Sequence, residues 1–121
     1  MIVVLLGKSC SGKDTLARQL EKGGFNFVVS TTSRPMRDGE SQGNPYHFVT
    51  GSEFKWLIEN DFLIEHREYN TLVDGNPDTW YYGVEKSAIE PNKDYVVVLD
   101  MVGLEGFKDA EFENIVSVYI K

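Results

Sequence analysis

The chain has one cysteine, no long apolar run and fewer basic than acidic residues, and each shortage excludes a class of protein. The single cysteine, Cys10, cannot form an internal disulfide and suits a reducing compartment, so we expect a cytoplasmic location. No apolar stretch approaches the roughly 20 residues needed to cross a bilayer. The N-terminus leads straight into a strand pattern, which is not the pattern of a cleavable signal peptide. We therefore expect no membrane partner.

Basic residues are too few for a nucleic-acid-binding surface. The 12 Lys and Arg against 19 Asp and Glu give a net charge of −7, which argues against nucleic acid as a partner. The balance is uneven, because residues 1–37 hold six bases and two acids, whereas residues 38–121 hold six bases and 17 acids. This concentration of bases near the N-terminus favours a small phosphorylated ligand.

A phosphate-binding loop pattern follows the first apolar run. Residues 7–14 match G-x-x-x-x-G-K-[ST] at every position but the last, between a strand pattern and a helix pattern. Loop N–H groups and a helix N-terminus together bind phosphate oxygens, and Lys13 can reach the β- and γ-phosphates of a nucleotide. A plain tight turn is the alternative, and the strand, loop, lysine and helix in register argue against it. The candidate phosphate ligands are Gly7, Lys8, Ser9, Cys10, Ser11, Gly12, Lys13, Asp14 and Thr15.

Asp14 is the exception in this pattern, because it stands where a Ser or Thr hydroxyl usually meets Mg²⁺. One interpretation is an acid that complements the dipole of the first helical turn. The other is a carboxylate that orients Mg²⁺ directly or through water, with Thr15 as a substitute hydroxyl. The sequence leaves both open.

The alternation of strand and helix patterns predicts an α/β fold with a parallel sheet and helices on both faces. Its length suits one domain with a substantial core. We predict four sheet strands and two helices: Ile2–Leu6, Phe25–Val29, Tyr95–Leu99 and Ile115–Ile120, with helices at about 13–22 and 103–111.

Residues 31–90 have a different rhythm and predict an inserted mixed α+β region. Thr50 and Glu53 have capping-box spacing ahead of an apolar helical face, and residues 74–77 have turn chemistry. Short strands are predicted at Tyr46–Val49, Phe62–Ile64 and Trp80–Tyr82. We therefore treat residues 1–121 as one domain, with a core of residues 1–30 and 91–121.

A second phosphate-binding device is predicted in this inserted region. Arg34 and Arg37 are held close by a short segment containing Pro35, and two guanidiniums can grip one phosphate. Ordinary surface arginines are the alternative. Since a phosphate loop precedes them and Tyr46 follows, we favour a kinase that holds two phosphorylated substrates.

At this point the chain resembles the guanylate kinase family, and the resemblance covers essentially the whole sequence. It is carried by the phosphate loop, residues 30–40 (Ser-Thr-Thr-Ser-Arg-Pro-Met-Arg-Asp-Gly-Glu), and by Tyr46–Val49, Phe62–Glu65, Tyr82–Gly83 and Leu99–Gly103. It implies a P-loop NTPase-type fold with an inserted nucleoside-monophosphate-binding region. It also implies ATP-dependent phosphorylation of GMP or dGMP, with Mg²⁺ as cofactor.

The resemblance assigns roles by position. Ser30, Arg34, Arg37, Tyr46 and Tyr82 would hold the GMP phosphate, and Glu65 would accept hydrogen bonds from the guanine. Without the resemblance, an exposed strand carboxylate would be the preferred interpretation of Glu65. Glu40 would orient the arginines, and Asp100, at a strand end, would contact GMP and orient Mg²⁺ or its waters. The catalytic candidates are Lys13, Arg37 and Asp100, and those for Mg²⁺ are Asp14, Thr15 and Asp100.

The chain also departs from the family pattern. Val98 stands where a second acid is usual, and Val84 stands where a Ser or Thr tends to bind guanine. The sequence ends at Lys121, before the expected arginine-bearing lid. We therefore expect a fragment, a chain completed by a partner, or a slow enzyme. A non-catalytic binding module and a kinase with another acceptor stay open as alternatives. The strand at Ile115–Ile120 would be an open edge, which predicts a homodimer.

Overall fold

A computed structural model describes residues 1–7, 12–44, 46–90, 92–110, 112 and 114–120, with the side chain of Asp14 outside that description. The chain forms two compact units. We call Met1–Val28 with Ala88–Lys121 the first unit and Val29–Ser87 the second unit. That the whole chain acts as one domain stays a prediction. No helix within the described ranges has the length and apolarity to cross a bilayer.

Eight strands and three α-helices make up the described fold. In chain order they are β1 (Ile2–Gly7), α1 (Lys13–Lys22), β2 (Asn26–Phe27), β3 (Thr31–Thr32), β4 (His47–Phe48), α2 (Gly51–Glu59), β5 (Leu63–Val73), β6 (Asn76–Glu85), a 3₁₀ turn (Lys86–Ala88), β7 (Tyr95–Val98), α3 (Met101–Asp109) and β8 (Ile115–Ile120).

The first unit is built on a parallel sheet with the strand order β2-β7-β1-β8. The connections through α1 and α3 run in opposite directions along this sheet, so right-handed crossovers place the two helices on opposite faces. Val3, Leu5, Ala17 and Val96 form a buried apolar cluster between the sheet and α1. The α/β prediction is confirmed.

Helix α1 begins and ends where its glycines predict. Its N-cap is Gly12, whose φ of 93° is left-handed and therefore favours glycine. At the other end, the N–H groups of Gly23 and Gly24 bond to carbonyls of the last turn, and Gly24 has a φ of 105°. The chain therefore leaves the helix at once and enters β2.

The second unit contains a mixed sheet with the order β4-β3-β6-β5. Strands β3 and β4 pair in parallel, β3 and β6 pair antiparallel, and the β5–β6 hairpin is antiparallel with a register shift between Leu63 and Glu65. Helix α2 has the predicted capping box, in which Thr50 and Glu53 bond reciprocally. Its Phe54 is fully buried and stacks on Tyr81 of β6 at 5.3 Å between ring centroids.

Several predicted boundaries were wrong. The strand at Phe25–Val29 is limited to Asn26–Phe27 and is exposed, because it lies at one end of the sheet. The strand predicted at Phe62–Ile64 begins at Leu63 and continues to Val73, and the strand predicted at Trp80–Tyr82 is the middle of Asn76–Glu85, so both are parts of one long hairpin. Helix α3 begins at Met101, since Asp100 caps it. Strand β8 has the predicted bounds and lies at the other sheet end; a homodimer through it stays a prediction.

Candidate active site

The first candidate site lies where β1 leads to α1. Gly7 ends the strand with a φ of 148°, and Gly12 opens the helix. The Lys13 Nζ donates a hydrogen bond of 2.6 Å to the Gly7 carbonyl, so the ammonium group is held across the ends of the loop. Gly12 has no side chain with which to cap α1, and helix N–H groups left in this way attract anions. The described part of this site therefore suits phosphate.

Five of the predicted phosphate ligands are outside this description. They are Lys8, Ser9, Cys10 and Ser11, together with the side chain of Asp14. Thr15 is exposed in the first turn of α1. The two interpretations of Asp14 therefore both stay open.

Asp100 follows β7 at the carboxyl end of the parallel sheet, where open α/β sheets bind ligands. Its Oδ1 accepts a hydrogen bond of 2.8 Å from the Gly103 N–H, so the carboxylate is oriented by the helix that it caps. Within the described residues, His, Cys, Asp and Glu form no cluster of three. Because Mg²⁺ usually takes one or two carboxylates together with waters and substrate phosphates, Asp100 and Thr15 fit this ion.

The second candidate site is in the second unit and centres on Arg34. This arginine is 5% exposed and forms a bidentate pair with Glu40, with Nη1···Oε1 at 3.1 Å and Nη2···Oε2 at 2.9 Å. Glu40 Oε1 also accepts a hydrogen bond of 2.8 Å from the Arg37 N–H. One carboxylate thus fixes both the guanidinium of Arg34 and the backbone at Arg37.

Aromatic rings surround this guanidinium. Its carbon lies 5.4 Å from the ring centroid of Tyr46 and 5.6 Å from that of Phe48, which is cation–π range. Tyr46 meets Tyr82 edge-on at 5.7 Å, and Tyr82 meets Tyr69 at 5.4 Å. The rings therefore form a continuous row from β4 to β5.

Two acid–base properties follow from this packing. The bond to Arg34 and the Arg37 N–H lower the pKa of Glu40, and Glu40 in turn raises the pKa of Arg34. Burial raises the pKa of Tyr46, so its hydroxyl stays protonated near neutral pH. The site therefore offers a cation and a neutral hydroxyl, both of which suit a phosphate dianion.

Glu65 shares one face of the hairpin with this row of rings. Arg67 is directly opposite Tyr82, Glu65 is opposite Val84, and side chains two residues apart point the same way. The other face carries α2, through Phe54 and Tyr81. The Glu65 and Arg67 side chains are 3% and 15% exposed and form an ion pair, with Oε2 and Nε 3.2 Å apart. Glu65 is therefore a buried acid and not the exposed carboxylate of the alternative interpretation.

The remaining predicted residues are less closely gathered. Ser30 is half-buried and its carbonyl accepts from the His47 N–H, which joins β3 to β4. The side chain of Arg37 is exposed. Arg34, Glu40, Tyr46 and Tyr82 thus form one group, and Glu65 is joined to it through Arg67. Gly7, Gly12, Lys13, Thr15 and Asp100 belong to the first unit.

Arg67 and Tyr69 were not among the residues predicted from the sequence. Both follow Glu65 at intervals of two, the spacing of residues on one strand face. That signal was present, but the strand was predicted to end at Ile64.

A family model, curated proteins and a solved structure match this chain. The family model described as "Guanylate kinase" matches residues 1–121. The chain belongs to the guanylate kinase family. It is 39% identical to the guanylate kinase of Anaplasma phagocytophilum over 127 residues, which cover 99% of this chain and 57% of that protein. It is also 39% identical to the guanylate kinase of Wolinella succinogenes over 125 residues, covering 98% and 54%.

A solved structure shows the same fold. The crystal structure of guanylate kinase from Anaplasma phagocytophilum superposes with a TM-score of 0.72 at 31% identity, covering 98% of this chain and 58% of that one. The predicted P-loop NTPase-type fold of the guanylate kinase family is therefore confirmed. The chain spans about half the length of the curated relatives that it matches.

Proposed function

We propose that this chain supplies the ATP-binding and acceptor-binding parts of an enzyme that phosphorylates GMP or dGMP. The observation that carries the proposal is the Arg34–Glu40 pair beside Tyr46, whose ring meets Tyr82 edge-on. These side chains belong to the same unit as the buried Glu65. A fixed cation beside aromatic hydroxyls suits a phosphate, and a buried carboxylate suits a base that offers hydrogen-bond donors.

The acceptor would be held at both ends. Arg34, Arg37, Ser30 and the two tyrosines bind its phosphate, and Glu40 keeps the first guanidinium in place. The Glu65 carboxylate accepts from the guanine N1–H and exocyclic amino group, whereas adenine lacks that pair of donors. The acceptor is therefore selected by its base and positioned by its phosphate.

The donor would be held by the loop between β1 and α1. Lys13 releases the Gly7 carbonyl and turns to the β- and γ-phosphates, while the N-terminus of α1 receives phosphate oxygens. Thr15 and Asp100 would hold Mg²⁺ together with the donor phosphates, and the ion would supply charge neutralisation. Transfer is in-line and rests on positioning and electrostatic stabilisation.

Calorimetric titration tests the acceptor site. We expect GMP and dGMP to bind at least about 10-fold more tightly than AMP, because a site with a buried acceptor penalises the wrong base. Arg34→Ala should weaken all three by about 100-fold, since it removes a phosphate ligand from a partly buried site. Lys55→Ala is the matched control, because it removes an exposed cation from α2. Equal affinities for AMP and GMP would contradict the role of Glu65.

Coupled release of ADP tests the transfer. With ATP, Mg²⁺ and GMP we expect turnover that Lys13→Ala lowers by about 100-fold or more. Lys22→Ala, an exposed lysine in the last turn of the same helix, is the control. Activity that Lys13→Ala leaves unchanged would show that this loop does not hold the donor. Binding of GMP without any transfer would favour the non-catalytic module.

A further inference from the structure

We propose that Arg67 reads the base of the acceptor, by donating hydrogen bonds to its carbonyl oxygen O6 and ring nitrogen N7. This inference rests on the proposed function, because it takes Glu65 as the residue that faces the N1–H and amino group. It adds a specificity-determining residue beside that carboxylate.

Arg67 lies next to Glu65 on the hairpin face that carries the row of rings. Its side chain lies on the face of the β5–β6 hairpin opposite α2, and it is directly across from Tyr82. Its Nε is 3.2 Å from Glu65 Oε2, and its charge is close enough to Tyr46 to act on the phenol. Arg67 therefore stands between the carboxylate and the row of rings that encloses the phosphate-binding arginine.

The chemistry of the base supports the same role. Guanine carries the N1–H and amino donors on one edge and the acceptors O6 and N7 beside them, and arginine is the side chain that most often contacts that acceptor pair. Glu65 in contact with Arg67 presents acceptors beside donors. The acceptors of Glu65 would face N1–H and the amino group, and the donors of Arg67 would face O6 and N7. Adenine has an amino group in place of O6, so the same arrangement would set donor against donor.

The side chain opposite Glu65 cannot contribute a hydrogen bond to the base. Val84 is directly opposite Glu65 and fully buried, and its side chain has no hydrogen-bonding group. A base held by Glu65 needs a donor for O6 from elsewhere on this face. Arg67 lies on this face and carries five N–H donors in one plane.

The free energy of burying the Glu65–Arg67 pair favours a role in binding over a role in stability. Taking two opposite charges out of water costs about as much as their attraction returns, so a buried ion pair adds little to folding. A pair that is 3% and 15% exposed is consistent with retention for ligand binding.

Titration of the full chain with GMP and with ribose 5-phosphate, which has the phosphate but no base, tests the inference. Arg67→Ala should weaken GMP binding by about 10- to 100-fold and leave ribose 5-phosphate within about twofold. Arg67→Gln, which keeps one amide donor and much of the stem, should lose less. Lys55→Ala, which removes the same charge from the other face, should change neither.

Other results of this titration would contradict the role of Arg67 in reading the base. Equal losses for GMP and ribose 5-phosphate would make Arg67 a phosphate ligand, and no loss for either would give it no role in binding. Each of these overturns the inference and leaves the proposed function intact. A wild-type chain that does not prefer GMP to AMP would overturn both.

Discussion

The two units of this chain bury different kinds of side chain. In the first unit the buried residues are apolar, with Val4, Leu5, Val96 and Phe107 almost completely enclosed. The buried polar and charged residues of the described chain are all in the second unit: Thr31, Thr32, Arg34 and Glu65. One unit therefore resembles an ordinary hydrophobic core, and the other has charges in its interior.

This difference indicates which buried residues stabilise the fold and which recognise the acceptor. Burial of apolar surface is favourable and needs no partner, whereas a buried charge is costly unless it is paired. In the second unit Arg34 is paired with Glu40, and Glu65 with Arg67. Substitutions of the buried apolar residues of the first unit should therefore act mainly on unfolding, and those on the hairpin face mainly on the acceptor.

Leu5→Ala should have the largest effect on stability. Leu5 is fully buried on β1 against α1, so its truncation leaves a cavity and should lower the free energy of unfolding by about 2–5 kcal/mol. Urea denaturation measures this. At a temperature where the variant is folded, its affinity for GMP should equal that of the wild type.

Val116→Ala on β8 is the control for Leu5→Ala, because its side chain is 43% exposed. It should cost well under half as much. A Leu5→Ala variant that bound GMP more weakly while fully folded would break the separation between the units.

Gly83→Ala should affect both stability and acceptor binding. A Cβ at Gly83 would lie 2.7 Å from the backbone oxygen of Glu65 and 3.1 Å from the Phe54 ring, so the hairpin must shift. Such overpacking costs about 1–3 kcal/mol. Because the displaced strand carries Glu65, GMP binding measured by calorimetry should weaken as well.

Gly51→Ala is the matched control for Gly83→Ala. A Cβ at Gly51 meets nothing within 4 Å, so this change should leave GMP affinity unaltered. Unchanged GMP binding by Gly83→Ala would show that the acceptor does not depend on the position of Glu65.

The sequence predicted best where local signals agree. Helix α1 has the predicted bounds because Gly12-Lys13 starts it and Gly23-Gly24 ends it. The capping box of α2 was likewise readable from Thr50 and Glu53. The strands β1 and β8 followed from apolar runs. These elements are fixed by residues close together in the chain.

The hairpin and the contacts of Arg34 were harder to predict for a physical reason. Residues 66–79 are mainly polar, so this part of β5 and β6 lacks the alternation of apolar and polar residues that predicts a strand. The contact of Arg34 with Tyr46 depends on the pairing of β3 with β4. Such contacts arise from tertiary structure, and only the family resemblance pointed to them.

Thr50→Ala should have a smaller effect, and on stability alone. Thr50 Oγ1 accepts from the Glu53 N–H and caps α2, so its loss should cost about 1 kcal/mol in urea denaturation. Helix α2 packs on the face opposite Glu65, so we expect the affinity for GMP to stay the same. Ser52→Ala, an exposed position in the first turn, is the control. A loss of GMP affinity with Thr50→Ala would show that the two hairpin faces are coupled.

The smallest effect concerns the pH dependence of stability through Glu40. Arg34 and the Arg37 N–H lower the pKa of Glu40 below its ordinary value of 4.5, so the ionised carboxylate stabilises the folded state. This contribution is complete above pH 4.5 and is lost as the pH falls through the lowered pKa. Glu40→Gln should therefore be less stable than the wild type at pH 6, and the difference should shrink towards pH 3. Glu21→Gln, which removes an exposed carboxylate from α1, is the control. Parallel curves for wild type and Glu40→Gln would mean that the Arg34–Glu40 pair serves the acceptor phosphate without contributing to folding.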